Sequence, residues 1–433
     1  MIWNREMECA DRKTMRALQL EKLKKTVKHE YENVAPYRKK MDEAGVKPDD
    51  IKTLDDIRRL PFTQKEDLAA SYPTGLFAKP MHEIVRIQAS SGTTGKPKIA
   101  GYTRNDLDMW GECVARSLTM AGADKDSIVH VSYGYGLFTG GLGAHIGAET
   151  IGATVIPMSS GNTQKQVMFL QDMKSTHLCC TPSYALTIAE AVAKAGIKPE
   201  ELALKAGVFG AEPWTQAMRD KIEAGLGIKA HDIYGLSEIM GPGVSTSCTE
   251  NNGMHIQEDY FYPEIIDPDT LEPVPDGEKG ELVITTLGKE GMPLIRYRTR
   301  DICYLMREKC ACGRTTVRMS RVFGRTDDML IIRGVNVFPS QVETVIAKFD
   351  KELTMNYKLY IGRENNTDTF ELAVELAEGL ALDDIGFVEM MRGRVEHALR
   401  DILGIGCKVR LLNEGTLPRS EGKAVRVEDT RKL

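Results

Sequence analysis

The sequence predicts an α/β fold: a large N-terminal domain of mostly parallel sheets with flanking helices, plus a β-rich subdomain, followed by a small α+β C-terminal domain. Strand and helix patterns alternate between residues 105 and 235, which is typical of a parallel sheet covered by helices. Long helix patterns are missing after residue 250, and from residue 328 a segment with both patterns has the size of a separate domain. We place the domain boundary between residues 325 and 326, in the polar segment 323–329.

Length and composition exclude several classes of protein. The chain has 433 residues, more than one hydrophobic core ordinarily supports. Its net charge of −5 offers no basic excess for nucleic acid, so we expect no nucleic-acid partner. No apolar run predicts a membrane span, and acidic residues near the N-terminus argue against a secretion signal. Nine scattered cysteines, an odd number, favour a cytoplasmic location over a disulfide framework.

The elements follow in chain order. Helical spacing of apolar residues covers residues 12–47. The alternating region predicts a helix from 105 with Asn105 as its N-cap, a strand at 127–133, helices at 163–174 and 183–195, and strands at 206–210 and 231–235 with a helix after Pro213 between them. The strands predicted further on are 280–287, 295–306, 329–334, 357–362, 370–376 and 408–412, with helices at 340–349 and 383–403.

A glycine-rich loop with the sequence SSGTTGKPK spans residues 90–98, between strands predicted at 84–89 and 98–103. Amide groups in such a loop can form an anion-binding concavity, and its hydroxyls and lysines suit a triphosphate or a leaving pyrophosphate. A plain surface turn is the alternative, but a turn gains nothing from two lysines amid four hydroxyls. A Walker loop is excluded by Ser90, by Pro97 and by the strand, rather than helix, that follows.

This loop resembles the signature of the acyl-adenylate-forming ligases, and further motifs of that superfamily follow in the same order. They are GAEPW (210–214), DIYGLSE (232–238), YRTRD (297–301), GRTDDMLIIRGVNVFP (324–339) and LPRSEGKAVR (417–426). Within the superfamily the chain is most similar to the phenylacetate–coenzyme A ligase family, through residues 133–145, 258–265 and 331–343. The resemblance covers nearly the whole chain.

The resemblance implies an enzyme that joins phenylacetate, or a close aryl acid, to coenzyme A through an acyl-adenylate. Its cofactors would be ATP, Mg²⁺ and coenzyme A, its products acyl-CoA, AMP and pyrophosphate, and its context phenylacetate catabolism. One alternative is transfer to a carrier-protein phosphopantetheine, although the chain contains no fused carrier domain. Another is a catalytically silent nucleotide-binding homologue, which the presence of both Glu238 and Lys423 disfavours. The expected partners are small molecules, without a membrane; a homodimer is expected from base rates alone.

The resemblance also implies roles for individual residues. Lys423 would bridge the substrate carboxylate and the α-phosphate, and a solvated surface lysine is the ordinary alternative. Glu238, the second catalytic candidate, would bind Mg²⁺, a hard cation that prefers oxygen ligands. The residues implied for ATP and AMP binding are Ser90, Ser91, Gly92, Thr93, Thr94, Gly95, Lys96, Ala211, Glu212, Pro213, Asp232, Tyr234, Gly235, Asp301 and Arg325.

Thioester formation needs a second arrangement, because Lys423 and its loop occupy the geometry of the first step. The family rotates its C-terminal domain between the two steps, and Asp327 matches the hinge position. The residues implied for the coenzyme A channel are Gly334, Val335, Asn336, Val337, Phe338 and Pro339. A buried strand and turn is the alternative for this segment, and both interpretations can hold together.

The acid pocket has two open interpretations. Tyr135, Phe138, Gly141 and Ala144 lie in a glycine-rich aromatic stretch. Small residues beside aromatic ones could form a flat slot for an aryl ring. The same glycines could instead allow a helix and a sheet to pack closely.

A metal site outside the chemistry is a further hypothesis. Cys310 and Cys312 resemble a zinc knuckle, and Cys248 and His255 lie upstream. Three thiolates and one imidazole suit a structural, tetrahedral Zn²⁺. Unrelated thiols and a surface histidine are the alternative.

Overall fold

The structure is a computed structural model that describes residues 1–90, 97–326, 330–333, 335–364, 367–418 and 425–431, without the side chains of Ile331 and Asn336. The α-helices in these ranges are α1 (Arg5–Glu8), α2 (Arg12–Asn33), α3 (Ala35–Glu43), α4 (Lys65–Ala70), α5 (Arg104–Met120), α6 (Thr139–Thr150), α7 (Thr163–Asp172), α8 (Pro182–Lys194), α9 (Gln216–Leu226), α10 (Pro339–Ile346) and α11 (Ile385–Leu403). None of the helices described is both long and apolar enough to cross a membrane.

Within the described ranges, the strands form five sheets. In chain order they are β1 (Arg86–Ala89), β2 (Ile99–Tyr102), β3 (Ile128–Val131), β4 (Thr154–Ile156), β5 (His177–Cys180), β6 (Ala206–Gly210), β7 (Lys229–Leu236), β8 (Gly241–Ser247), β9 (Met254–Ile256), β10 (Phe261–Ile266), β11 (Gly280–Thr286), β12 (Tyr297–Cys303), β13 (Leu305–Met306), β14 (Arg318–Met319), β15 (Gly324–Arg325), β16 (Leu330–Ile332), β17 (Val335–Val337), β18 (Leu353–Glu364), β19 (Thr367–Leu376), β20 (Lys408–Leu412) and β21 (Val427–Asp429).

The largest sheet has the strand order β13-β14-β9-β8-β7-β6-β5-β3-β4. Strands β4, β3, β5, β6 and β7 are parallel neighbours connected by helices α6 to α9. The alternating pattern predicts the parallel sheet, with strands at β3, β6 and β7, but strands β4 and β5 were missed. Beyond β7 the sheet continues with antiparallel strands, so it is mixed and its parallel part covers only five strands. Parallel strands place their carboxyl ends at one edge of the sheet, where ligands of such folds usually bind.

The β-rich region predicted after residue 250 is confirmed. Strands β10, β11, β12 and β15 form an antiparallel sheet. The same region of the chain also contains β13 and β14, which form the edge of the nine-stranded sheet.

The separate C-terminal domain is also confirmed. Its sheet has the order β20-β19-β18-β21. Helices α10 and α11 share a hydrophobic core with this sheet, and Met218 from α9 of the N-terminal domain packs against that core.

Two local predictions are wrong, and one helix was missed. The helical segment 12–47 is two helices, because Val34 is extended and Pro36, which lacks an amide hydrogen, opens the next helix. Helix α5 is capped by Thr103, whose hydroxyl accepts from the Asp106 amide at 3.2 Å, and not by Asn105. Helix α6 was not predicted, because its glycines have a low intrinsic helix propensity.

Candidate functional site

The hairpin predicted around the phosphate loop is present. Strands β1 and β2 pair antiparallel, with Ala89 opposite Ile99. The Ser90 amide donates to the Lys98 carbonyl at 3.1 Å and closes the base of the loop. The Ser90 hydroxyl is buried without a hydrogen-bond partner among the described residues, so a ligand oxygen could satisfy it. The remaining loop residues that the sequence analysis assigns to ATP, Ser91 to Lys96, lie outside the described residues.

A cavity of about 220 Å³ lies at the ends of β6 and β7. It is lined by eight residues that the sequence analysis assigns to the nucleotide: Ala211, Glu212, Pro213, Asp232, Tyr234, Gly235, Asp301 and Arg325. The loop after β6 turns at Ala211, whose φ of 73° is uncommon for a residue with a side chain. Such backbone conformations cluster at functional sites.

Tyr234 and Arg325 hold the Asp301 carboxylate. The Tyr234 hydroxyl donates to Oδ2 at 2.6 Å, and Arg325 Nε lies 3.6 Å from Oδ1. Arg325 is directly opposite Asp301 in the pairing of β12 with β15. Burial, followed by the Asp301 charge, raises the pKa of Tyr234, so its hydroxyl remains a donor. Asp301 therefore presents a fixed carboxylate to the cavity, suited to accept hydrogen bonds from a diol.

The sequence analysis missed Trp214 and Arg219, which frame the same cavity. Trp214 Nε1 donates to Asp232 Oδ1 at 2.5 Å, and Arg219 forms an ion pair with the other oxygen. The Arg219 guanidinium also lies 4.3 Å from the centre of the Trp214 ring. Burial raises the pKa of Asp232, although Arg219 and Trp214 oppose this shift. Trp214 ends the GAEPW motif, so the sequence could have indicated it. Arg219 lies in helix α9, outside every motif, so no sequence pattern indicated its role.

The Glu212 carboxylate is bound to helix α8. Its Oε1 accepts hydrogen bonds from the backbone amide of Ser183 at 2.7 Å and from the Ser183 hydroxyl. Ser183 lies in the first turn of α8, where a carboxylate is favoured by the free amides and the helix dipole. Glu212 thereby ties the loop after β6 to α8.

Glu238 lies in the turn 237–240 between β7 and β8 and is only 6% exposed. Its carboxylate makes no hydrogen bond or ion pair with any residue that the structure describes. A buried carboxylate is costly without a compensating partner. This environment fits a divalent cation, which would supply that partner.

The residues proposed for the acid pocket surround the start of α6. The Tyr135 hydroxyl lies 3.2 Å from His145 Nδ1, and Phe138 is 37% exposed. A Cβ added at Gly141 would lie 2.7 Å from the Gly134 carbonyl oxygen, so Gly141 serves close backbone packing. Ala144 is buried in the main core. None of the four lines the nucleotide cavity.

Two contacts nevertheless connect this region with the other parts of the site. The Ala89 amide at the base of the phosphate hairpin donates to the Leu137 carbonyl at 2.9 Å. The Thr139 hydroxyl at the start of α6 lies 3.3 Å from the Ser237 hydroxyl, next to Glu238.

The segment predicted for the coenzyme A channel is the hairpin β16–β17 and the start of α10. Val337 is buried in the C-terminal core, so the structural interpretation of this segment holds for that residue. Phe338 lines a cavity of about 350 Å³ that shares Pro213 and Trp214 with the nucleotide cavity. Val335 packs partly buried against the C-terminal core, and Pro339 opens α10. Gly334, the Asn336 side chain and the hinge candidate Asp327 lie outside the described residues.

Lys423 also lies outside the described residues, between β20 and β21. Arg426, three residues further on, is described: its guanidinium lies 4.8 Å from the Tyr357 ring centre, and its carbonyl accepts from the Leu359 amide.

The four candidate metal ligands converge. Cys248, His255, Cys310 and Cys312 place their ligand atoms within 4.8 Å of one another. The Cys248 and Cys310 sulfurs are 3.7 Å apart, close to the separation of about 3.8 Å that two thiolates bound at 2.3 Å to one tetrahedral zinc would have.

The groups around this cluster suit a metal as well. His255 Nδ1 lies 2.9 Å from the Thr316 hydroxyl, which leaves Nε2, 3.4 Å from the Cys312 sulfur, directed at the centre. Burial would raise the pKa of Cys312, but hydrogen bonding with His255 and the Arg314 amide outweighs it and lowers the pKa to about 5. A thiolate is the form that binds metal.

Comparison with known proteins agrees with this architecture. Residues 10–288 match the family model described as AMP-binding enzyme, and residues 334–431 match the AMP-binding enzyme C-terminal domain. The chain is 51% identical to the phenylacetate–coenzyme A ligase of Thermus thermophilus, covering 100% of both chains. It is also 51% identical to the enzyme of that name from Escherichia coli, covering 100% of this chain and 99% of the other. The chain therefore belongs to the AMP-binding enzyme family and, within it, to the phenylacetate–coenzyme A ligases.

Among solved structures, the chain is similar to another acid–CoA ligase. 2-Hydroxyisobutyryl-CoA ligase in the postadenylation state is 29% identical and superimposes with a TM-score of 0.91, covering 98% of this chain and 92% of the other. The same enzyme in the thioesterification state gives a TM-score of 0.73 at 30% identity, covering 98% and 91%. The overall arrangement of this chain is thus closer to the first of the two structures.

Proposed function

We propose that this protein activates phenylacetate, or a close arylacetic acid, with ATP and transfers the acyl group to coenzyme A. The observation that carries the proposal is the nucleotide cavity, where eight residues from four separate motifs meet. Full-length similarity to phenylacetate–coenzyme A ligases supports the choice of acid and thiol.

The two half-reactions require different groups of the protein. In the first, a substrate carboxylate attacks the α-phosphorus of ATP and expels pyrophosphate, so preorganised donors must offset negative charge. The phosphate loop that begins at Ser90 would bind the β- and γ-phosphates. Asp301, held by Tyr234 and Arg325, would accept hydrogen bonds from the ribose hydroxyls. Lys423 would bridge the carboxylate and the α-phosphate.

In the second half, the thiol of coenzyme A displaces AMP from the acyl-adenylate. The C-terminal domain, which we place at residues 326–433, would rotate about Asp327 and bring residues 334–339 to the acyl group. The position of Phe338 beside Trp214, in a cavity next to the nucleotide cavity, supports this route.

Two metals fit the chain. Glu238 would bind Mg²⁺, which when bound neutralises phosphate charge during adenylation. Cys248, His255, Cys310 and Cys312 would hold a structural Zn²⁺, consistent with their mutual distances.

We further propose a cytoplasmic location and a homodimeric assembly. All nine cysteines lie in the described ranges as free thiols, in keeping with a cytoplasmic protein. A homodimer is the simplest assembly to test, by light scattering after gel filtration.

Acid-dependent exchange of pyrophosphate into ATP tests the proposal directly. The panel would contain phenylacetate, 4-hydroxyphenylacetate, indoleacetate, benzoate and, as an aliphatic control, 2-hydroxyisobutyrate. We expect the fastest exchange with phenylacetate, by roughly tenfold or more over acids that fit the pocket less well. Addition of coenzyme A should then yield phenylacetyl-CoA. Exchange without thioester formation would contradict the choice of free coenzyme A, and equal exchange with every acid would contradict aryl specificity.

A further inference from the structure

Two buried side chains from distant parts of the chain converge on the turn 237–240, which contains Glu238. One is Tyr102, at the end of strand β2 of the phosphate hairpin, and the other is Lys289, between β11 and β12. The Tyr102 side chain is fully buried, and Lys289 is 2% exposed. None of the motifs in the sequence analysis includes either residue.

Both side chains bind the backbone carbonyls of this turn. The Tyr102 hydroxyl lies 3.1 Å from the carbonyl oxygens of both Ser237 and Met240. The Lys289 ammonium donates to the carbonyls of Glu238 at 3.1 Å and Ile239 at 2.7 Å. The two side chains therefore lie within hydrogen-bonding distance of all four consecutive carbonyls of the turn, with the single Tyr102 hydroxyl hydrogen shared between Ser237 and Met240.

The two side chains also contact each other. Lys289 Nζ lies 4.8 Å from the centre of the Tyr102 ring, so the ring face forms one wall of the ammonium site. Burial lowers the pKa of Lys289 to about 8, against the opposing charges of Asp106 and Glu238. A buried ammonium is costly, and its retention here requires these carbonyls and carboxylates as compensation.

The segment that carries Lys289 is fixed in turn by helix α5. The Asp106 carboxylate accepts hydrogen bonds from the amides of Glu290 at 2.7 Å and Gly291 at 2.8 Å. Asp106 also accepts from the Thr103 amide at 2.9 Å, directly after β2. The end of β2, the start of α5, the segment 289–291 and the turn 237–240 thus form one buried network.

We propose that Lys289 and Tyr102 are positioning residues for the metal-dependent first half-reaction. They fix the backbone of Glu238 relative to the strand that leads out of the phosphate loop, and so set where its carboxylate meets a cation bound to the triphosphate. The proposal rests on the proposed role of Glu238. Residues that orient a metal ligand commonly change metal affinity by about 10- to 100-fold when they are replaced.

The test uses Lys289→Met and Tyr102→Phe, which remove the donors and keep most of each side chain's volume. Lys22→Met and Tyr37→Phe are matched controls, because Lys22 donates to the Asp259 carbonyl at 2.6 Å and the buried Tyr37 hydroxyl donates to the Pro61 carbonyl at 2.9 Å, both outside the site. The probes are Mn²⁺ with a non-hydrolysable ATP analogue, followed by electron paramagnetic resonance, and hydrogen exchange of residues 236–241 in the ligand-free protein.

We expect faster exchange of residues 236–241 and Mn²⁺ binding weakened by about tenfold in both variants, with AMP affinity unchanged and neither effect in the controls. Lys289→Arg should restore part of the Mn²⁺ affinity. If Lys289→Met does not fold, the positioning role is tested by Tyr102→Phe alone, because that variant removes only one hydroxyl.

Unchanged Mn²⁺ binding in folded variants would overturn the proposal, even if exchange became faster. Glu238→Gln, measured in parallel, separates this failure from that of the metal role itself. If Glu238→Gln weakens Mn²⁺ binding and the other two variants do not, only the positioning role is lost. If Glu238→Gln leaves binding intact, both are lost.

Discussion

Asp301 lies on β12 of the four-stranded sheet, yet its carboxylate accepts a hydrogen bond from Tyr234 on β7 of the nine-stranded sheet. The contact joins the two sheets at the nucleotide cavity and fixes the direction of the oxygens that a ribose would meet. A carboxylate positioned in advance loses less free energy on binding than one that must first be ordered.

Tyr234→Phe should therefore weaken AMP binding by about tenfold, since a hydrogen bond to a carboxylate contributes roughly 1.5 kcal/mol. Isothermal titration calorimetry measures this directly. Tyr262→Phe is the matched control, because the Tyr262 hydroxyl makes no hydrogen bond with a described residue. AMP affinity unchanged by Tyr234→Phe would show that Asp301 keeps its orientation without the tyrosine, or does not contact the nucleotide.

Also at the residue scale, the cluster of Cys248, His255, Cys310 and Cys312 predicts that the purified protein contains zinc. Cys310→Ser should lose zinc and lower the temperature of unfolding, because the site joins the loop at 310–312 to Cys248 after β8 and His255 in β9. Elemental analysis of protein purified without chelators measures the zinc. Cys9→Ser is the control, as Cys9 contacts the same loop through the Gly313 carbonyl but lies outside the cluster. Wild-type protein that is free of zinc would refute the site.

At the scale of elements, helices α5 and α6 pack closely because α6 is rich in glycine. A Cβ added at Gly147 would lie 2.4 Å from Val114 Cγ1 of α5, a separation that requires the two helices to move apart. We expect Gly147→Ala to destabilise the protein by roughly 1–3 kcal/mol.

Gly393 in α11, unlike Gly147, has open space around it. It is also helical, but a Cβ there would meet nothing within 4 Å. Gly393→Ala should stabilise the protein by up to about 1 kcal/mol through helix propensity alone. Thermal unfolding of both variants measures the contrast, and a lower unfolding temperature for Gly393→Ala than for Gly147→Ala would contradict this account of the packing.

These elements also show which features local sequence can predict. The phosphate hairpin and strands β3, β6 and β7 were predictable, because turn residues and apolar spacing act over a few positions. Helix α6 was not, because its stability comes from contact with α5 rather than from its own residues. The ion pair of Arg219 with Asp232 and the network of Lys289 were missed for the same reason: they join segments whose proximity only the fold establishes.

At the scale of the whole molecule, the contact between the N- and C-terminal domains is partly polar. Ser340 donates to the Phe323 carbonyl at 2.7 Å, Lys194 pairs with Glu414 at 3.7 Å, and Met218 packs against the C-terminal core. Interfaces of this kind permit relative motion of domains. The two structures of 2-hydroxyisobutyryl-CoA ligase superimpose on this chain with different TM-scores, 0.91 in the postadenylation state and 0.73 in the thioesterification state.

Lys423→Ala tests whether the proposed half-reactions use different arrangements. If the lysine acts only when its loop faces the nucleotide, the variant should lose acid-dependent pyrophosphate exchange by at least about a hundredfold, as expected for loss of a preorganised cation at the reacting phosphate. It should still convert preformed phenylacetyl-adenylate and coenzyme A to the thioester at close to the wild-type rate. Lys408→Ala, which removes an exposed lysine of β20 in the same domain, should leave both half-reactions intact. Equal loss of both half-reactions in Lys423→Ala would mean that one arrangement serves both steps, and the proposed rotation about Asp327 would have to be abandoned.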